Sequence, residues 1–277
     1  MLKDEVSIVE KLTGVSLESI TFSDKGSYSR CYLVDGGSFA FKFKKRPNVN
    51  YENEAKILHL LKNEELGIKI QSVGWDGELS HYIGLYGING RPINEISLNK
   101  TEEELVADKI AKFLTKIRSL SFSDLPSCSL PDEIKIWHER FSRSLPILSQ
   151  YFNEREIEII KEYVLSTAPK KLQKLGEKLV FSHGDLWENN IFLNQNEVGI
   201  IDFSDGGYYD EGAEFMYLES DTLCEKILDK INADEVLREK VKIRRAIKML
   251  FIVSAYQEKP ENEYLKYIKK ISAWLKS

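Results

Sequence analysis

The strongest alternation of apolar and polar positions lies at Phe39–Lys44, FAFKFK, where three phenylalanines fall on one face of a strand and Ala40, Lys42 and Lys44 on the other. Upstream, Ser16–Ser23 alternates imperfectly through Leu17, Ile20 and Phe22, Tyr28–Val34 is strand-like, and Asp35-Gly36-Gly37 supplies a tight turn. These segments predict a meander of three antiparallel strands. Ile68–Trp75 and Ser80–Tyr86, joined at Asp76-Gly77, add two more and complete a five-stranded sheet. Helical spacing appears twice around it: Val6, Val9 and Leu12 before Gly14, and Ala55, Leu58 and Leu61, widened by Ile57 and Leu60, over about 51–65.

The pattern then changes. LYGINGRP over 85–92 is punctuated by glycine and predicts a connection between domains, placing a hinge at about 85–90. Helices are expected over about 101–119, opened by a capping box at Thr101–Glu104, and over 132–150 and 154–168. Two short apolar runs, Lys178–Phe181 and Val198–Phe203, follow, with a hairpin turn at Asn194-Gln195-Asn196. Segments 211–231, 234–258 and 261–275 again have helical periodicity. The fold class expected is α+β, with a sheet-bearing N-terminal domain over 1–86 and a mainly helical one over 87–277.

Composition narrows the function without naming it. At 277 residues, with 42% hydrophobic and 11% aromatic positions, the chain can bury a substantial core. A net charge of −5 gives no general basic field, so nucleic acid is not an expected partner. Three cysteines without CxxC spacing suggest neither a disulfide framework nor a zinc site, and a cytoplasmic setting fits. The start MLKDEVSIVEKL lacks the apolar stretch of a signal peptide, and no run is long enough to span a membrane. A monomer or weak dimer is expected.

The polar residues around the two apolar runs carry the chemistry. VFSHGDLWENNIF places His183, Asp185 and Asn190 after the first run, and GIIDFSD closes the second with Asp202 and Asp205. Asp and Asn are also common turn residues, so the weight rests on the whole constellation. Phosphoryl transfer needs a carboxylate to orient the attacking hydroxyl, and oxygen ligands to hold Mg2+ against the phosphates. Asp185 suits the first task; Asn190 and Asp202 suit the second. Neither GxGxxG nor GxxxxGK[ST] occurs, which removes the Rossmann and P-loop alternatives.

His183-Gly184-Asp185 with Asn190, and Gly199–Asp205 with Asp210 following, resemble the aminoglycoside phosphotransferases, small-molecule kinases that share the protein-kinase fold. The form GIIDFSD with Asp five residues on is most similar to the branch acting on the 2''-hydroxyl, and HGDLW also resembles fructosamine kinases. The resemblance implies two lobes, with ATP or GTP as phosphate donor. It implies that Lys42, with Lys44 as runner-up, grips the phosphates and that Glu54 in ENEAKIL fixes the lysine. An edge-strand lysine and a solvated helix acid would look the same in sequence. Gly26 and Ser27 would lie in the turn over the nucleotide, Leu85, Tyr86 and Ile88 would meet the nucleobase, and His183 would brace the catalytic loop. The arginine of HRD, an APE sequence and a long segment after Asp202 are all missing, so a small acceptor is expected.

Between Asp202 and Asp229 stand nine acids and one base, Lys226, a local balance of −8. Such a stretch would attract a cationic acceptor. Asp205, Asp210, Glu214, Glu219 and Asp221 are the candidate acceptor residues, with Asp210 or Asp205 ordering either the loop or the acceptor. The expected reaction moves the γ-phosphate of ATP or GTP to an aminoglycoside hydroxyl. The alternative acceptor is a ketosamine, a choline-like alcohol or homoserine.

Overall fold

The computed structural model describes residues 2–23, 28–253 and 262–276. The chain opens with α1 (Lys3–Thr13) and continues through β1 (Ile20–Ser23), β2 (Ser29–Val34), β3 (Phe39–Lys44), α2 (Glu52–Leu61), β4 (Lys69–Ile70), β5 (Ser72–Trp75) and β6 (Tyr82–Tyr86). Next come β7 (Arg91–Pro92), α3 (Lys100–Arg118), α4 (Leu130–Tyr151), α5 (Glu154–Glu162) and α6 (Ala168–Leu175). Strands β8 (Leu179–Ser182), β9 (Ile191–Asn194), β10 (Glu197–Ile200) and β11 (Gly207–Asp210) precede α7 (Asp221–Lys230), α8 (Glu235–Phe251) and α9 (Asn262–Trp274). Two compact units result: Met1–Leu125 with His183–Gly206 and Glu219–Ile231, and Pro126–Ser182 with Gly207–Leu218 and Asn232–Ser277.

The first unit holds the five-stranded antiparallel sheet, in the order β1-β2-β3-β6-β5. Cys31 is in register with Lys42, Lys42 with Ile83, and Ala40 with Leu85, so these side chains share one face. The opposite face carries Tyr32, Phe41, Phe43 and Tyr82, and α1 covers it with Val6 and Val9. The helix is fastened there by charge as well as by apolar area. Glu5 accepts from Arg30 Nη2 at 2.5 Å and Nε at 3.0 Å, and from Tyr32 Oη at 2.7 Å.

The expected strand at 68–75 divides at buried Gln71. Only β5 stays in the sheet; β4 runs parallel to β10, giving a second sheet in the order β4-β10-β9-β7. The hairpin between β9 and β10 closes at Gln195, which takes a left-handed φ of 53°. Helix α3 starts before the expected capping box, because Asn99 and not Thr101 is its N-cap: Asn99 Oδ1 accepts from the Thr101 and Glu102 amides, and Glu102 Oε2 accepts from Asn99 N. Helix α7 packs on α3 within this unit.

In the second unit, β8 pairs antiparallel with β11, with Ser182 opposite Gly207. The helix expected at 154–168 runs on through a π-helical turn at Tyr163–Thr167 into α6. The helix expected from 211 begins only at Asp221. Residues before it form β11 and a 3-10 turn at Glu214–Tyr217, because Gly207 and Gly212 bring the chain close to neighbours: an added Cβ would lie 2.6 Å from Pro126 O and 2.8 Å from Lys240 Cβ. Among the described residues no helix is long and apolar enough to cross a membrane, and Cys31, Cys128 and Cys224 are free thiols.

Candidate active site

The loop from His183 to Asn190 is braced from within the first unit. His183 is fully buried; its Nε2 donates to Ile201 O at 2.9 Å, so its Nδ1 accepts the Asp185 amide at 3.2 Å. Burial pushes the imidazole down to about 4, so it is neutral. With both nitrogens engaged, His183 is a brace and not a base. Gly184 takes φ 85°, and a Cβ there would lie 2.0 Å from Asp205 O, so the two loops meet backbone to backbone where only glycine fits. Asn190 closes a short 3-10 turn and donates from Nδ2 to Asp185 O at 2.8 Å and Asp185 Oδ2 at 3.2 Å.

The second loop leaves β10 at Asp202, which has a left-handed φ of 68°. Its backbone is tied to the first loop where Ile201 N donates to Asn190 O at 3.0 Å. Lys42 Nζ donates to Glu54 Oε1 at 2.7 Å and to Asp202 Oδ1 at 3.1 Å, so sheet, α2 and loop converge on one ammonium. Ser204 Oγ adds a bond to Asp202 Oδ1 at 2.8 Å. Burial opposes the charge of Asp202, but the Lys42 ammonium and these hydrogen bonds outweigh it and hold the carboxyl at about 2. Burial likewise opposes the charge on Lys42, yet Asp202 and Glu54 raise its pKa overall. Lys42, not Lys44, is the lysine joined to both acids.

Three participants have no signature in the sequence reading. Asn53, the neighbour of Glu54 on α2, donates from Nδ2 to Ser204 O and Gly206 O, each at 2.9 Å. Ser204 is the second. The third, Cys31, sits opposite Lys42, its thiol pushed up to about 11 chiefly by burial. Of these, Ser204 alone had a usable signal, since serine two residues after an aspartate favours a local side-chain bond.

The donor set is one of hard oxygens. Asn190 spends its amide nitrogen on Asp185, which leaves its oxygen as an acceptor, and Asp202 stays ionised. No group of three or more His, Cys, Asp or Glu that could hold a metal occurs among the described residues. One carboxylate and one amide fit an ion that shares its remaining positions with water and phosphate oxygens, as Mg2+ does.

Residues 19–243, most of the chain, match the phosphotransferase enzyme family, APH. The chain belongs to this family. Within it, the aminoglycoside 3'-phosphotransferase of Acinetobacter baumannii is 28% identical over 171 residues, which span 60% of this chain and 64% of that protein, less than two thirds of the relative's length. Among solved structures, the gentamicin complex of APH(2'')-IIa matches with a TM-score of 0.74 at 17% identity, covering 98% of this chain and 96% of that one. The GDP complex of wild-type aminoglycoside 2'-phosphotransferase-IIIa matches at 0.75 with 16% identity and 98% of each chain covered. The choline kinase LicA of Streptococcus pneumoniae matches at 0.69 with 19% identity, covering 99% of each chain. At these identities the likeness is one of fold: the protein-kinase-like α+β fold of the APH enzymes.

The remaining expected site residues in this APH chain are unevenly placed. Gly26 and Ser27 lie outside the described residues. Leu85 is buried on the Lys42 face, whereas the Tyr86 ring lies on the opposite face beside Phe39 and Trp75, so only its backbone is open to a base on the lysine side. Ile88 packs on Gly199, where a Cβ would come within 2.6 Å of Ile88 Cγ2. Asp205 and Asp221 are exposed and Glu219 is half-buried, all in the same unit as Asp185. Asp210 and Glu214 are buried in the other unit.

Asp210 is an anchor within its unit. Its carboxylate accepts Lys178 N at 3.0 Å and Gly212 N at 3.1 Å, and pairs with Lys240 Nζ and Arg244 Nη1, each at 2.9 Å. Burial works against this charge, but Arg244 and the hydrogen bonds hold it below the usual carboxylate range. Both carboxylate oxygens are thus engaged within this unit.

Proposed function

We propose that this chain transfers the γ-phosphoryl group of ATP or GTP to a hydroxyl of a cationic aminoglycoside. The observation that carries the reading is the single ammonium of Lys42 bonded to both Glu54 and Asp202, on a loop whose backbone is tied to that of Asp185 and Asn190. Family membership and the aminoglycoside kinases among its relatives support the acceptor class. Residues 1–86 act as the nucleotide lobe and 87–277 as the catalytic and acceptor lobe.

In this reading Lys42 aligns the α/β-phosphates, and Glu54 keeps its chain extended toward them. The backbone of Leu85, Tyr86 and Ile88 meets the base. Asn190 and Asp202 would hold Mg2+, which would supply charge neutralisation. Asp185 orients the acceptor hydroxyl and takes its proton as the new oxygen–phosphorus bond forms and the bond to the departing nucleoside diphosphate breaks. Asp205, Glu219 and Asp221 hold the acceptor's ammonium groups. The free cysteines support a cytoplasmic setting.

The likeness to a choline kinase favours a second acceptor, a small amino-alcohol. Mass spectrometry of the protein with Mg2+, ATP or GTP, and a panel of aminoglycosides, amino-alcohols and ketosamines decides between them, with Asp185→Asn as control. An aminoglycoside heavier by one phosphoryl group, absent in the control, is the expected result. Phosphorylation of another acceptor alone would replace the substrate and keep the mechanism.

A further inference from the structure

Glu188 lies inside the loop between Asp185 and Asn190, yet its carboxylate bonds to the backbone at 219–220. It is only 9% exposed, and its Oε1 accepts two successive backbone amides, Glu219 N at 2.6 Å and Ser220 N at 2.8 Å. These amides stand at the entrance to α7, where helix N–H groups lack intrahelical partners and a negative charge is favoured. Ser220 completes the cap by accepting Leu223 N at 3.1 Å. A carboxylate shared by two amides is a charge-assisted contact, stronger than a neutral one. The body of α7 is fixed elsewhere, by packing on α3 and by the Lys226–Glu103 pair at 2.6 Å. Glu188 therefore ties the start of that helix to the loop that carries Asp185.

We propose that Glu188 is a positioning residue for acceptor specificity, setting Glu219 and Asp221 in register with Asp185. This rests on the reading of the chain as a kinase of cationic acceptors. An acceptor held by its ammonium groups presents its hydroxyl to Asp185 only if the distance between acids and carboxylate is fixed, and a shift of about 1 Å at such a site can cost on the order of a hundredfold in rate. Glu188 acts through the 219–221 backbone and touches no reacting atom.

The test separates this role from general support of the loop. Glu188→Ala is expected to raise the KM for a cationic acceptor by about tenfold or more while moving the nucleotide KM less than about twofold. Glu188→Gln, which keeps an acceptor oxygen but not the charge, falls between that variant and wild type. Hydrogen exchange at the 219–223 amides should quicken in Glu188→Ala. Glu219→Gln should add less in the Glu188→Ala background than alone, since the two act as a unit. An unchanged acceptor KM, or an equal rise in both KM values, overturns the proposal while leaving the kinase reading intact. Wild-type protein that phosphorylates no cationic acceptor overturns the cationic-acceptor reading and this proposal with it.

Discussion

A neutral histidine beside the Asp185 carboxylate could pass for a general base, but His183 has no nitrogen left for the task. Its burial instead has a consequence for stability. The imidazole titrates ordinarily near 6.5 and in the fold only at about 4, so as pH falls the unfolded chain takes the proton first. The stability it contributes is complete above about pH 6.5 and is lost progressively toward pH 4, by roughly 3 kcal/mol at about 1.4 kcal/mol per unit. Asp202, held at about 2, adds its own loss only below its ordinary 3.8. Denaturant midpoints from pH 7 to 4 should fall in wild type and fall less steeply in His183→Gln, which would start from a lower value. Asp185→Asn tests the neighbour: it keeps the oxygens that Asn190 contacts, so the fold should survive while kcat drops about 10²- to 10⁴-fold. Wild-type turnover in that variant would remove Asp185 from its role. The residues legible in sequence, Lys42, Glu54, Asp185, Asn190 and Asp202, bear charges or amides in a recognisable order. Asn53 and Glu188 escaped because their partners are backbone atoms, whose positions no side-chain pattern encodes.

At the scale of elements, α2 and the loop after β10 depend on each other. Glu54 reaches the loop through Lys42, whereas Asn53 grips it directly at Ser204 O and Gly206 O. Removing that grip should let Asp202 drift from the ammonium that fixes it. Asn53→Ala is therefore expected to raise the nucleotide KM by up to about thirtyfold, in line with loss of two hydrogen bonds worth about 1 kcal/mol each, with little change in acceptor KM. Nucleotide binding followed by fluorescence would check it, and unchanged affinity would mean that the Lys42 bonds alone hold the loop. The five-stranded sheet was legible because FAFKFK alternates strictly and its turns carry Gly and Asp. The stretch from 207 to 220 was not, since Ala213, Phe215, Met216 and Leu218 satisfy a helical count while Gly207 and Gly212 serve close approaches made across the fold. Strand β4 escaped for a related reason: its partner, β10, lies some 130 residues downstream, a pairing local alternation cannot register.

Charge is the property that belongs to the whole molecule, and here the linear count overstates the field. Of the nine acids between Asp202 and Asp229, Asp210 and Glu214 are buried, Asp202 is paired with Lys42, and Glu211 lies between Lys178 and Lys240 at 3.1 Å from each. Asp205, Glu219, Asp221, Glu225 and Asp229 remain at or near the surface. The acids at the surface are therefore fewer than the linear balance of −8 implies. Salt distinguishes such a field from short-range contacts, because the screening length shrinks from about 10 Å at 0.1 M to about 3 Å at 1 M. Transfer to a polycationic acceptor should then lose several-fold in kcat/KM between about 0.05 and 0.5 M salt, mostly through KM, while a neutral acceptor of similar size should be almost insensitive. Asp221→Asn with Glu219→Gln should flatten the salt dependence; Glu225→Gln, farther along α7, should flatten it less. If transfer to the polycation proved independent of salt, the acids would be solvated helix residues, and acceptor choice would have to come from shape and hydrogen bonding around Asp185.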